Sequence, residues 1–135
     1  MKVKIFSDGG ARGNPGPSGI GAVIFDEKGQ NILGEYKKYI GETTNNQAEY
    51  QAVVLGLEKA FELKATEIDF FLDSELVCKQ INGEYKIKNA DFQPHFIKIY
   101  NLKQKFKKTS FTHIRREKNK VADRLVNEAI DEAGF

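Results

Sequence analysis

Glu67-Ile68-Asp69-Phe70-Phe71-Leu72-Asp73 is a nearly continuous apolar run that ends in an aspartate. Its length and composition predict a strand covered on both faces. The segment before it, residues 47–64, is rich in helix formers, lacks proline and follows the capping candidates Thr43-Thr44-Asn45-Asn46. A strand reached across a helix implies a parallel crossover. This stretch therefore predicts an α/β sheet and sets Asp73 at the carboxyl end of a strand.

On the N-terminal side, Val53, Leu57, Ala60 and Phe61 form the expected apolar stripe of the helix. Glu49 lies one turn before Val53, close to the buried face, where a carboxylate needs a reason. Residues 3–8, 19–26 and 31–40 read as three strands with short links, an antiparallel meander whose less apolar third member suits a sheet edge. Between the first two runs Asp8-Gly9-Gly10-Ala11-Arg12-Gly13-Asn14-Pro15-Gly16. A carboxylate at a strand end, followed by backbone with few side chains, admits a polyanion closely if a cation bridges the charges. Taken alone, the same residues describe an ordinary turn.

On the C-terminal side, residues 74–81 read as a short helix capped at Asp73 or Ser74 and stopped by Asn82-Gly83. Residues 85–91 form a basic connector, and 92–106 a helix with Pro94 near its start. Residues 110–115 are a strand pattern that includes His113. Residues 119–133 make a closing helix with Ala122, Leu125, Val126, Ala129 and Ile130 inward and Asp123 bordering that stripe. No repeat, linker or low-complexity tract interrupts the chain, so a single domain over residues 1–135 is expected.

The chain has 40% hydrophobic and 30% charged residues, no apolar run of membrane-spanning length and no signal-peptide pattern at its start. An intracellular, cytoplasmic or nucleoid-associated protein without a membrane partner is the expectation. Cys78 is the single cysteine, so no internal disulfide can form, and His95 and His113 are the only histidines, too few for a Cys/His zinc site. Any metal would be held by oxygen. The formal charge is +2, but between residues 76 and 124 thirteen Lys and Arg face four acids, an excess of nine that leaves the rest acidic. A solvated face explains such a run as readily as a polyanionic partner does.

Asp8, Glu49, Asp73 and Asp123 can converge at one end of the sheet if the first and fourth strands are neighbours. Clustered carboxylates repel unless protonated or bound to cations, and an all-oxygen set suits Mg²⁺ or Mn²⁺. Ser7-Asp8-Gly9-Gly10 with Gly13-Asn14-Pro15-Gly16, Thr43-Thr44-Asn45-Asn46-Gln47-Ala48-Glu49, Leu72-Asp73-Ser74 and Asn119-Lys120-Val121-Ala122-Asp123-Arg124-Leu125 together resemble type 1 ribonuclease H. The motifs occur in that family's order and spacing over almost the whole chain.

The resemblance implies the ribonuclease H fold: a five-stranded mixed sheet ordered 3-2-1-4-5, its first three strands antiparallel, with helices on both faces. It implies a monomer that hydrolyses the RNA strand of RNA/DNA hybrids, leaving 5′-phosphate and 3′-hydroxyl ends. Asp8, Glu49, Asp73 and Asp123 would be the catalytic ligands of two Mg²⁺, with Mn²⁺ as substitute and Asp8 shared by both ions. The backbone of Gly9, Ala11, Gly13 and Asn14 matches the loop that reads RNA 2′-hydroxyls. Asn45 and Asn46 match minor-groove contacts, and Thr44 with Asn89 a pocket for a DNA-strand phosphate. Helix capping for Thr44, Asn45 and Asn46, and a turn for Asn89, are the alternatives.

Several features depart from the family pattern. The loop at residues 115–119 is shorter than the one that often carries a histidine, so Arg115, Arg116 or Glu117 are candidates to act near the metals instead. His113 is expected in the strand. Glu75 stands where relatives often have a substrate-touching glutamine. The tryptophan-rich basic insertion before the penultimate helix is missing, leaving Lys86, Lys88 and the lysines from Lys98 to Lys108 to compensate. No separate hybrid-binding domain is expected ahead of Met1, so affinity is expected to rest on this domain and to fall with salt. A same-fold nuclease acting on double-stranded RNA and a catalytically silent hybrid-binding module are the rival readings.

Overall fold

Apolar residues at alternate positions give the first strand its two faces, and the ladder it makes with its neighbours organises the sheet. A computed structural model describes residues Met1–Phe135. Its elements are β1 (Lys2–Ala11), β2 (Gly16–Asp26), β3 (Ile32–Thr43), α1 (Asn45–Glu62), β4 (Glu67–Leu72), α2 (Glu75–Ile81), α3 (Gln93–Lys103), β5 (Lys108–His113) and α4 (Lys120–Glu132). Single 3-10 turns at Ala90–Phe92 and Arg116–Lys118 precede α3 and α4. The strand order is β3-β2-β1-β4-β5. β1 pairs antiparallel with β2 and β2 with β3, whereas β1–β4 and β4–β5 are parallel. The fold is the one the resemblance implies, and the crossover read from residues 67–73 is present.

α1, α2 and α3 share one core with the sheet, in which Ile5, Tyr50, Leu57, Phe70, Ile99 and Phe111 are buried. α4 covers the other face through Leu125, Val126 and Ala129, where β2 is stripped to glycine. Tyr50 hydroxyl donates to Gln80 Oε1, tying α1 to α2 inside that core. No helix is long and apolar enough to cross a membrane.

Three local expectations change. β1 was expected to stop at Asp8 but continues to Ala11, because its ladder with β2 runs on through Asp8↔Gly21 and Gly9↔Ile20 to Ala11↔Ser18. The glycines there are strand residues covered by helices on both sides. The parallel ladder to β4 does stop, at Ser7↔Leu72. Asp8 and Asp73 are the next residues on two adjacent strands, and this is what sets them side by side. Phe61, expected in the apolar stripe of α1, is exposed and meets Phe106 edge-on at 6.3 Å with Lys105 Nζ 4.5 Å over its ring. α3 ends at Lys103, and Phe106 returns to the core from the turn after it. His113 closes β5, paired with Leu72 and exposed, and β3 is the sheet edge, both as expected.

The helices approach the sheet closely only where side chains are missing. A Cβ on Gly9 would lie 2.3 Å from the backbone carbon and oxygen of Ala48 in α1, and one on Gly21 2.7 Å from Leu125 Cβ in α4. Gly9→Ala should therefore drive α1 off β1 and lower stability by at least about 2 kcal/mol, seen as a lower urea midpoint. Gly10→Ala, whose Cβ would meet nothing nearer than Val126 Cγ1 at 3.7 Å, should stay within about 1 kcal/mol of the parent.

Candidate active site

Four elements deliver carboxylates to one end of the sheet. Asp8 comes from β1, Asp73 from the residue after β4, Glu49 from the first turns of α1 and Asp123 from the first turn of α4. Ligand oxygens of Asp8, Glu49 and Asp73 lie within 4.8 Å of one another. Asp123 is outside that triad but lines the same cleft, whose volume is about 460 Å³. Asp8 and Glu49 are only 7% and 5% exposed. Glu49 Oε1 accepts the Gly9 N–H at 3.1 Å. Its Oε2 is buried without any hydrogen-bond partner.

Such a cluster is electrostatically unsatisfied. Burial, reinforced by the charges of Asp73 and Asp123, raises the Asp8 carboxyl from 3.8 to about 7, with a hydrogen bond from Glu49 and the Arg116 charge pulling the other way. Glu49 is pushed well above its ordinary value by burial first, then by its hydrogen bond to Asp8 and the charges of Asp8 and Asp73. Without a cation, both raised carboxyls favour their protonated forms. A buried carboxylate oxygen with no partner, in an all-oxygen triad of this size, fits a hard divalent cation that would take the proton's place. Asp8, Glu49 and Asp73 could hold an ion, and Asp123 lines the same cleft.

The surrounding polar groups are engaged in specific ways. Ala11 N–H donates to Asn45 Oδ1 at 2.8 Å and Asn45 N–H to Asn14 Oδ1 at 3.0 Å, which zips the β1–β2 loop to the start of α1. Both amide Nδ2 groups are left without an intramolecular acceptor. Asn45, Asn46, Gly9 and Ala11 line the cleft, whereas Gly13, Asn14, Thr44 and Asn89 do not. Thr44 caps α1 by accepting the Gln47 N–H at 3.3 Å, and Asn89 caps the Ala90–Phe92 turn by accepting the Asp91 N–H at 2.8 Å. Of the three residues proposed to replace the loop histidine, Arg116 alone lines the cleft, and Arg115 and Glu117 are exposed elsewhere. Glu75 pairs with Lys79 at 3.2 Å on the surface of α2.

The sequence assigns no role to two residues with structural control of the site, although Asn119 opens one of the family motifs. Arg12, a lone cation in the glycine-rich loop, pairs with Asp131 at 2.7 Å and donates to the Phe135 carbonyl at 2.9 Å, fastening that loop to the end of α4. Asn119, read as the start of a helix, donates from Nδ2 to the Ser7 carbonyl and to Asp73 Oδ2, both at 2.8 Å. Its place four residues before Asp123, at a helix start, marks it in the sequence.

The folded protein holds the Asp8 proton up to about 7, whereas an unperturbed carboxyl releases it near 3.8. This group thus favours the folded state fully below 3.8, and that contribution is lost as pH rises through about 7. In the presence of chelator, Asp8→Asn should raise stability by up to about 4 kcal/mol at pH 8 and change it little at pH 4, read by urea denaturation. The same replacement should remove the rise in Tm that Mg²⁺ or Mn²⁺ gives the parent.

A family model described as reverse transcriptase-like matches residues 6–129. The bifunctional protein Rv2228c of Mycobacterium tuberculosis is 42% identical over 133 residues, which are 98% of this chain and 36% of that protein, so the chain spans about a third of its length. Ribonuclease HI of Halobacterium salinarum is 39% identical over 98% of this chain and 66% of its own length. Among solved structures, LC11-RNase H1 in complex with an RNA/DNA hybrid superposes with a TM-score of 0.92 and 48% identity, covering 97% of this chain and 98% of that one. The matched span contains all four carboxylates, their order along the chain and the fold that gathers them, and the chain belongs to the type 1 ribonuclease H family.

Proposed function

We propose that this domain is a divalent-cation-dependent endoribonuclease that hydrolyses the RNA strand of RNA/DNA hybrids and leaves 5′-phosphate and 3′-hydroxyl ends. The observation that carries the reading is the Asp8–Glu49–Asp73 triad, its first two members buried and one Glu49 oxygen unpartnered, in a cleft partly lined by glycine backbone. The hybrid bound by LC11-RNase H1, 48% identical, supports the substrate. Two Mg²⁺ ions, or Mn²⁺, held by Asp8, Glu49, Asp73 and Asp123 would activate a water and stabilise the departing 3′ oxygen.

The chain's own residues do the rest. Gly9 lets α1 bring Glu49 up to the sheet, and Gly10 keeps a side chain off the cleft floor, so a phosphate can come close to the carboxylates. The free Nδ2 groups of Asn45 and Asn14 are donors suited to ribose hydroxyls and minor-groove acceptors. Because Asn45 already takes the Ala11 N–H, the loop's part in reading 2′-hydroxyls falls to these amides more than to that N–H. Arg116 offsets the negative charge at the cleft and is placed to meet a phosphate. Lys86, Lys88, Lys107 and Lys108, none of them in an ion pair within 4.0 Å, supply part of the positive surface for the duplex.

An end-labelled RNA/DNA hybrid should be cut in Mg²⁺ or Mn²⁺ and not in chelator, with DNA/DNA left intact and RNA/RNA cut much more slowly. Equal rates on RNA/RNA would make double-stranded RNA a substrate, and no cation-dependent cutting of any duplex would overturn the reading. Asp73→Asn should lower kcat by more than about a hundredfold while the protein stays folded. His113→Ala, at the exposed end of β5, should alter kcat by less than about threefold, within the range of surface replacements.

A further inference from the structure

We propose that Asn119 is a positioning residue for the metal-binding carboxylates, holding Asp73 through its side chain and Asp123 through its backbone. The inference rests on the cation site assigned above. Asn119 is 1% exposed and occupies the N-cap of α4, a position where asparagine ordinarily turns its Oδ1 onto the helix's own N–H groups. Here it makes no such side-chain cap. Its Oδ1 is instead buried without a partner. The two protons of its Nδ2 go to the Ser7 carbonyl and to Asp73 Oδ2, each at 2.8 Å. Its backbone carbonyl accepts the Asp123 N–H at 3.1 Å.

The location explains the arrangement. The β1–β4 ladder ends at Ser7↔Leu72, so no backbone pairing joins the two aspartates that follow to each other, although Asp8 still pairs with Gly21 of β2. The Asn119 amide bridges the gap, joining the carbonyl just before Asp8 to the carboxylate of Asp73. With Oδ2 held, Asp73 presents Oδ1 to a cation. An amide is the suitable group, because it donates two hydrogen bonds without adding charge. A lysine or arginine there would neutralise the cluster and compete with the cation, and a carboxylate would repel Asp73. Groups that orient metal ligands in this way tune affinity without touching the ion.

Titration of metal-free protein with Mn²⁺ alone, with no nucleic acid present, reads the role directly. Asn119→Asp and Asn119→Ala should weaken Mn²⁺ binding by about tenfold to a hundredfold. At saturating Mn²⁺ their KM for hybrid should stay within about twofold of the parent, since Asn119 does not touch substrate. In an Asp73→Ala background, Asn119→Ala should add less than about twofold to the loss, whereas a merely structural role would weaken both backgrounds alike. Unchanged Mn²⁺ affinity in both folded variants, or an additive loss, would overturn the inference. Should the variants fail to fold, the parent still decides by NMR. Its Asn119 Nδ2 protons should exchange slowly and shift on Mg²⁺ addition, and exchange as fast as in an exposed asparagine would overturn the assignment. A parent that binds neither cation overturns the proposed function and this inference together. A parent that binds and cuts, beside an Asn119→Asp protein that binds Mn²⁺ equally well, overturns the inference alone.

Discussion

Like charges forced together out of water are the constraint on which the rest of the structure depends. Three carboxylate groups have oxygens within 4.8 Å of one another, and two of the three are almost fully buried. Left to itself this arrangement would fly apart or protonate, and burial with mutual repulsion raises the Asp8 and Glu49 carboxyls towards the second response. The site is thus destabilised in a way that a cation relieves, so that binding free energy for the ion is built into the folded chain before the ion arrives.

Holding such a cluster requires a frame that does not yield. The parallel β1–β4 ladder brings Asp8 and Asp73 to the same level and then stops, leaving room for a ligand where a further pair would have been. α1 presses on β1 at Gly9 closely enough that Glu49 can accept the Gly9 N–H, and α4 presses on β2 at Gly21, which sets the height of Asp123. Arg12 fastens the glycine-rich loop to the far end of α4, and Asn14 with Asn45 fastens it to the near end of α1. The loop is flexible in composition but is held at both sides.

Charge is divided along the chain for the same purpose. Four of the nineteen acids line the cleft, while the basic excess of residues 76–124 spreads over α3, β5 and the segments beside them. Part of that excess is already used within the fold: Lys103 lies over Phe111 at 5.4 Å, Lys105 over Phe61 at 4.5 Å and Lys79 beside Glu75 at 3.2 Å. A count of lysines in the sequence therefore overstates the surface left for a polyanion. In the short 115–119 segment Arg116 lines the cleft, while Arg115 before the 3-10 turn and Glu117 within it are exposed away from it.

The periodicity of residues 47–73 was enough to determine a helix and a parallel strand, because a covered strand and an amphipathic helix differ in period over that length. Motif order then determined the family and its four carboxylates. Other features were invisible because they depend on partners distant in the chain. β1 continues through Gly9 and Gly10 because β2 and two helices lie against it, against the local preference of glycine. Phe61 has the spacing of a core residue, yet it is exposed and meets Phe106, in the turn after α3, edge-on. Thr44 read as a helix cap or a phosphate ligand and Asn89 as a turn or a phosphate ligand, and in the fold each side chain accepts a backbone N–H at a helix start. Asn119 reads as a helix start in one dimension. Only when the strand ends at Ser7 and Leu72 are set beside the start of α4 does its amide lie 2.8 Å from Asp73, since a hydrogen bond spanning 46 residues is decided by packing and not by neighbours in sequence.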